Sequence, residues 1–229
     1  LNQMTLKKQQ VNLKSGEKMK ALVIAHGYNS KEVLKREFKD ADLIICSDGG
    51  AIYAMEIGIK PDIIIGDLDS IDKNVYEYFL ENGIKIVSYP REKDFSDTEL
   101  CVDYAIDSGA DSICIISGIG SRIDHSLINI SLLYKIKSKG VDAYIATDSA
   151  YIYICNDYLQ IEGEIGDTLS LIPLTLEVKG ITTKGLKYKL VDGNIRLGQS
   201  IGVSNEFIEK SCSIKVKEGI LIVVKQKLI

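Results

Sequence analysis

The chain has 229 residues, 45% hydrophobic and 26% charged, which suits a folded protein of one large or two modest domains and argues against global disorder. Its net charge of −4, with no long basic block, argues against a nucleic-acid partner, so any phosphate bound here must be held by local groups and cations. No apolar run approaches the roughly 18 residues needed to span a membrane, and the polar, lysine-bearing N-terminus does not read as a secretory signal.

Residues 1–18 precede the first convincing strand and read as a tag or a poorly ordered extension. From Lys20, short Ile- and Val-rich runs alternate with amphipathic stretches. The runs at Ala21–Ala25, Leu43–Cys46, Ile63–Ile65, Ile84–Val87, Ile113–Ile116 and Ala143–Ala146 read as strands buried on both faces. Helices are predicted at Ser30–Phe38, opened by an Asn29/Glu32 capping box, and at Ala51–Ile57 and Lys73–Asn82, closed by Gly58 and Gly83. Two more are predicted at Asp97–Asp107, opened by Ser96 with Glu99, and at Asp124–Lys139, closed by Gly140. Such alternation predicts a mostly parallel, three-layer α/β domain over residues 19–148. Beyond it the texture changes to short β-branched segments with turn signals at Glu162-Gly163, Asp192-Gly193-Asn194 and Glu218-Gly219. Residues 149–229 therefore read as an all-β sandwich or barrel-like domain. The scattered cysteines, Cys46, Cys101, Cys114, Cys155 and Cys212, form no CxxC and read as reduced core thiols of a cytoplasmic protein.

In open parallel sheets, ligands bind beyond the carboxyl ends of the strands. Four strand ends here carry acids: Ser47-Asp48-Gly49-Gly50, Gly66-Asp67-Leu68-Asp69-Ser70, the stretch Lys93-Asp94-Phe95-Ser96-Asp97, and Gly118 through His125 with Arg122 and Asp124. Two carboxylates about 4 Å apart repel by roughly 4 kcal/mol at an effective dielectric near 20, and a hard cation such as Mg²⁺ removes that cost. In an extended loop Asp67 and Asp69 would face one metal site together. Asp48-Gly49-Gly50 reads either as a helix N-terminus beside a phosphate or as a plain tight turn. Asp97 reads as a helix cap or a metal ligand, Lys93 as a phosphate neighbour or a solvated loop lysine, and Arg122 as a stabiliser of transferred charge. The P-loop, GxGxxG and GxSxG motifs are absent, as is a zinc ligand set.

Taken in order, Cys46–Ala51, Pro61–Ser70, Asp94–Glu99 and Gly118–Asn129, with Gly185-Leu186-Lys187-Tyr188 and Gly202-Val203-Ser204-Asn205 in the β-rich part, resemble thiamine pyrophosphokinase. The resemblance covers nearly all of the chain after Met19. It implies transfer of pyrophosphate from ATP to the hydroxyl of thiamine, with Mg²⁺, in a homodimer whose subunits share the thiamine pocket. By position it implies Asp48, Asp67, Asp69 and Asp97 as the metal and phosphate cluster, with Asp67, Asp69 and Asp97 catalytic. Gly49, Gly50, Lys93, Arg122 and Asp124 fall on the ATP side, and Ser204 and Asn205 on the thiamine side. Two departures stand out: Gly-Ser-Arg at Gly120–Arg122 replaces the usual Gly-Gly-Arg, and there is no Trp, for which Phe207 is either a stand-in or simple core. The rival readings are a metal-dependent phosphohydrolase built on Asp67 and Asp69, and a thiamine- or nucleotide-binding protein without chemistry.

Overall fold

The computed structural model describes residues 18–28 and 30–227. Most of the segment read as a tag or extension, through residue 17, lies outside the described residues, as does Asn29. The chain divides into two compact units that meet in sequence at Asp148/Ser149.

The first unit alternates β1 (Lys20–Ile24), α1 (Lys31–Phe38), β2 (Leu43–Ser47), α2 (Asp48–Glu56), β3 (Ile63–Gly66), α3 (Lys73–Glu81), β4 (Lys85–Ser88), α4 (Asp97–Asp107), β5 (Ser112–Ile116), α5 (Ile123–Ser138) and β6 (Asp142–Ala146). All five pairings within the β6-β5-β1-β2-β3-β4 sheet are parallel. The doubly buried runs form the interior strands, with Leu22, Ile24, Ile45, Ile63, Ile64, Ile113 and Ile115 fully enclosed. Strand β4, at the edge, is only partly covered. After β4 the chain crosses back beyond β1, so the winding reverses between β1 and β5. In sheets wound this way, a crevice opens at that reversal beyond the carboxyl ends.

The predicted elements differ from the observed ones mainly at helix starts. The cap of α1 is Ser30, whose side chain accepts from the Val33 N–H. Helix α2 starts three residues before the predicted Ala51, because Ser47 caps it and Asp48-Gly49-Gly50 forms its first turn. Glycine makes that possible: a Cβ on Gly50 would run into the Ile24 carbonyl, and one on Gly49 into the His26 ring. Gly50→Ala is expected to cost about 1–3 kcal/mol through this backbone clash, read as a lower urea midpoint at unchanged slope.

The second unit holds two antiparallel sheets. One has the order β12 (Asn205–Glu206), β9 (Thr168–Pro173), β14 (Leu221–Gln226), β7 (Ala150–Cys155). The other runs β11 (Gly193–Arg196), β10 (Glu177–Lys184), β13 (Ser211–Lys215), β8 (Tyr158–Glu162). Alternate residues of both sheets share one core, including Leu169, Leu171, Val178, Ile214 and Val223, which makes this unit a sandwich.

Candidate active site

The acidic strand ends of the first unit converge on a cleft of about 760 Å³. Asp48, the first residue of α2, is only 3% exposed. Its Oδ1 accepts from the Gly49 N–H at 2.6 Å and its Oδ2 from the Ser70 N–H at 3.4 Å, which ties the first turn of α2 to the loop after β3. The Gly50 N–H donates to Ser47 Oγ at 3.2 Å. The two glycine N–H groups expected to cradle a phosphate are thus already used, and neither glycine lines the cleft.

Asp67 follows β3, but the loop is not extended as expected. Leu68 has φ of 66°, in the left-handed region, which cancels the facing of residues two apart. The Asp69 N–H folds back to donate to Asp67 Oδ1 at 3.2 Å. As a result Asp48, Asp67 and Asp97 each bring a carboxylate oxygen within 4.8 Å of the others, and Asp69 stays outside that group. Asp69 still lines the cleft, where its Oδ2 lies 3.4 Å from Arg91 Nε. Asp97 opens α4, but Ser96 serves as the cap, accepting from the Glu99 N–H at 3.1 Å, so Asp97 is released from capping. Lys93 is no solvated loop lysine: its side chain is 11% exposed, with Nζ 3.3 Å from Asp67 Oδ2 and 3.0 Å from Asp97 Oδ1.

The charges respond to this crowding. Burial pushes the Asp48 carboxyl up, assisted by Asp67 and Asp69 and opposed by its two backbone donors. Burial also pushes Asp97 up, opposed by Lys93 and assisted by Asp48 and Asp67. Asp67 is likewise partly desolvated, but the Asp69 N–H and Lys93 outweigh this and hold it below its ordinary value. Lys93, despite its own burial, is held above the ordinary lysine value by Asp97 and Asp67.

On the other side of the cleft, Arg122 and His125 line the wall, while Asp124 is not among the lining residues. Arg122 Nη2 lies 2.7 Å from Asp124 Oδ2, both side chains being two-thirds exposed. Ser121, where glycine is usual, has no positive φ, so a side chain is accommodated there without backbone strain. Sequence reasoning assigned no role to several other residues of the site. Tyr53 donates its hydroxyl to the Gly27 carbonyl at 2.8 Å, and Asn129 Nδ2 donates to the Gly118 carbonyl at 2.8 Å; each fixes a strand-end loop. Ser117, at the end of β5, is 4% exposed and lines the cleft, and its Oγ has no hydrogen-bond partner among the described residues. Ser117 could have been found from its place directly after β5 and His26 from its place two residues after β1; Tyr53 and Asn129 lie inside helices and carry no motif.

In the second unit, Ser204 is exposed with φ of 59°. Asn205 is buried and fully engaged: its Oδ1 accepts from the Tyr188 and Glu206 N–H groups and its Nδ2 donates to the Tyr188 carbonyl. Phe207 is 1% exposed in the sandwich core, so the reading of it as a stand-in for a ligand-stacking Trp is withdrawn. Its ring packs against Gly163 instead, where a Cβ would collide with it.

Three carboxylates in mutual reach, with two of them pushed toward the protonated form by burial and, less, by one another, are an oxygen-only donor set that suits a hard divalent cation. The chain is thus a two-unit α/β and β protein with an acidic cleft at the reversal point of a parallel sheet, the place where doubly wound α/β proteins bind their ligands. The family model for the thiamin pyrophosphokinase catalytic domain matches residues 34–145, and that for the thiamin pyrophosphokinase vitamin B1 binding domain matches residues 156–221. The chain is 30% identical over 180 residues to thiamine pyrophosphokinase of Bacillus subtilis, covering 78% of this chain and 84% of that one. Thiamine pyrophosphokinase 1 of Oryza sativa is 28% identical over 200 residues, 76% of this chain and 75% of its own. The crystal structure of the Bacillus subtilis protein superposes with a TM-score of 0.82 at 27% identity, covering 92% of this chain and all of that one. The chain belongs to the thiamine pyrophosphokinase family.

Proposed function

We propose that the protein transfers the pyrophosphoryl group of ATP to the hydroxyl of thiamine, giving thiamine diphosphate and AMP. The observation that carries this reading is the Asp48–Asp67–Asp97 cluster at the mouth of a parallel sheet, in a chain matched over both units by this family. Asp48, Asp67 and Asp97 would hold Mg²⁺, which when bound neutralises triphosphate charge and draws electrons from phosphorus. The protein's own groups do the positioning. Arg122 in the cleft wall and Lys93, held between Asp67 and Asp97, balance phosphate charge, and Ser117 Oγ offers an unused polar contact at the end of β5. The hydroxyl oxygen of thiamine attacks the β-phosphorus in line, the bond from that phosphorus to the oxygen bridging to the α-phosphorus breaks, and AMP departs with that oxygen. The hydroxyl proton passes to a carboxylate of the cleft, Asp69 or Asp97.

Ser204 is the one proposed thiamine contact that stands open, Asn205 acting as a brace behind it. We extend the reading to a homodimer with a shared thiamine pocket, supported by the exposed Leu176, Leu197, Ile201 and Val203 of the second unit. The five buried, unbridged cysteines suit a reducing cytoplasm, and no helix among the described residues is long and apolar enough to cross a membrane.

The test is turnover with ATP, Mg²⁺ and thiamine, followed by chromatography. AMP and thiamine diphosphate are expected in equal amounts, with formation abolished by EDTA. Free phosphate or ADP without thiamine diphosphate would instead indicate the phosphohydrolase, and thiamine binding without turnover the binding protein.

A further inference from the structure

Lys93 occupies an unusual position for a phosphate-binding lysine. Its ammonium lies between two of the three carboxylates that form the cation site, 3.3 Å from Asp67 Oδ2 and 3.0 Å from Asp97 Oδ1. All three side chains are largely enclosed, at 11%, 13% and 23% exposure, so solvent screens the contacts little. The other cluster oxygens with bonds are satisfied by backbone: Asp48 by the Gly49 and Ser70 N–H groups, and Asp67 Oδ1 by that of Asp69. Lys93 therefore supplies the only side-chain cation in contact with the cluster among the described residues. The same cleft still presents one buried, unpartnered hydroxyl, Ser117 Oγ, as expected of a site whose ligand is yet to come.

We propose that Lys93 is a built-in counter-cation: it holds Asp67 and Asp97 together in the free protein, competes with free metal for them, and yields to a cation that arrives with the nucleotide triphosphate. The lysine is on a flexible four-carbon stem with a compact point charge, so it can leave the carboxylates for a phosphate oxygen without moving the backbone. The consequence is an order of events. Free metal binds poorly to the empty cleft, because it must displace an ammonium already in place. Metal carried on a triphosphate binds well, because the displaced ammonium gains a new anionic partner in the same step. This rests on the pyrophosphokinase reading only for the identity of that triphosphate.

The test is Mn²⁺ binding to the protein without nucleotide, by electron paramagnetic resonance, for wild type, Lys93→Met and Lys93→Arg. Removing the positive charge is expected to tighten Mn²⁺ by at least about tenfold, although it deletes a side chain from the site, whereas Lys93→Arg keeps the weak binding of wild type. The affinity of Lys93→Met for a non-hydrolysable ATP analogue falls at the same time. A lysine that merely braces the loop predicts the opposite, Mn²⁺ binding unchanged or weakened in Lys93→Met, and that result would overturn the proposal. If Lys93→Met loses cooperative unfolding, the wild type decides: amine labelling of Lys93, read by mass spectrometry, rises severalfold with saturating Mn²⁺ if the ammonium is displaced, and unchanged labelling overturns the proposal. Wild-type thiamine diphosphate formation is followed alongside. Turnover with no Mn²⁺ gain in Lys93→Met removes this inference alone; no turnover removes the functional reading and leaves the Mn²⁺ comparison to judge Lys93.

Discussion

Asp67→Asn is expected to lower thiamine diphosphate formation by about 10²–10³-fold while leaving the fold intact. The substitution keeps size and shape, and an amide oxygen can still accept the Asp69 N–H that now bonds Asp67 Oδ1. What is lost is the negative charge that pairs with Lys93 and lies within reach of the Asp48 and Asp97 carboxylates. In the proposed transfer that charge acts on the triphosphate, so the loss should fall mainly on kcat rather than on the KM for thiamine. Steady-state kinetics, with thermal unfolding as a control, checks it. An Asp67→Asn variant within threefold of wild-type kcat would remove Asp67 from the reaction, and the cluster would have to be read as structural.

The largest expected loss of stability lies away from the cleft, at Glu37. This carboxylate is buried at the end of α1, where the helix dipole disfavours it, yet it is 6% exposed at the side chain. Its Oε2 accepts from the Tyr144 hydroxyl at 2.7 Å and lies 3.3 Å from Lys20 Nζ, and its Oε1 lies 3.0 Å from Arg36 Nε. Glu37→Ala leaves the largely enclosed Lys20, its side chain 19% exposed, without this partner, and removing one partner of such a buried pair costs about 3–5 kcal/mol. The pH dependence has a definite sign. Burial alone would raise the Glu37 carboxyl, but the Tyr144 and Arg36 hydrogen bonds and the Lys20 charge outweigh it and hold it below its ordinary value. A depressed carboxyl contributes stability above its unfolded value and loses it as pH falls through the folded value. Denaturant midpoints measured from pH 7 down past pH 4 should therefore fall more steeply in wild type than in Glu37→Gln. Parallel curves would show that Glu37 carries no such linkage.

Glu37 also shows where sequence reading stops. It stands four residues after Val33 and three after Leu34, on the buried face of α1, and that position was the available signal. Its partners Lys20 and Tyr144 come from β1 and β6, and no local pattern brings them together. The sheet itself was legible because Ile- and Val-rich runs at regular spacing leave few alternatives, and every predicted strand of the first unit lies within a residue or two of an observed one. The strand-end rule likewise located the cleft. Side-chain direction within it was less accessible. Asp67-Leu68-Asp69 reads as a matched pair only if the loop is extended, and the left-handed Leu68 sends Asp69 to Arg91. Asp48-Gly49-Gly50 shows the same limit, since the cap Ser47 draws all three into the helix and takes the Gly50 N–H, while Asp48 Oδ1 takes that of Gly49, so neither is left for phosphate. Phe207 shows it for the β unit, where aromatic identity alone does not distinguish a ligand platform from a core ring.

The measurement that tests the central claim most directly is ³¹P NMR of a single reaction containing ATP, Mg²⁺, thiamine and the protein. Pyrophosphoryl transfer predicts that the α-phosphorus appears only in AMP while the β- and γ-phosphorus resonances reappear together, coupled to each other, in thiamine diphosphate. A β-phosphorus signal in ADP, with the γ-phosphorus released alone or carried on a monophosphate, would contradict it.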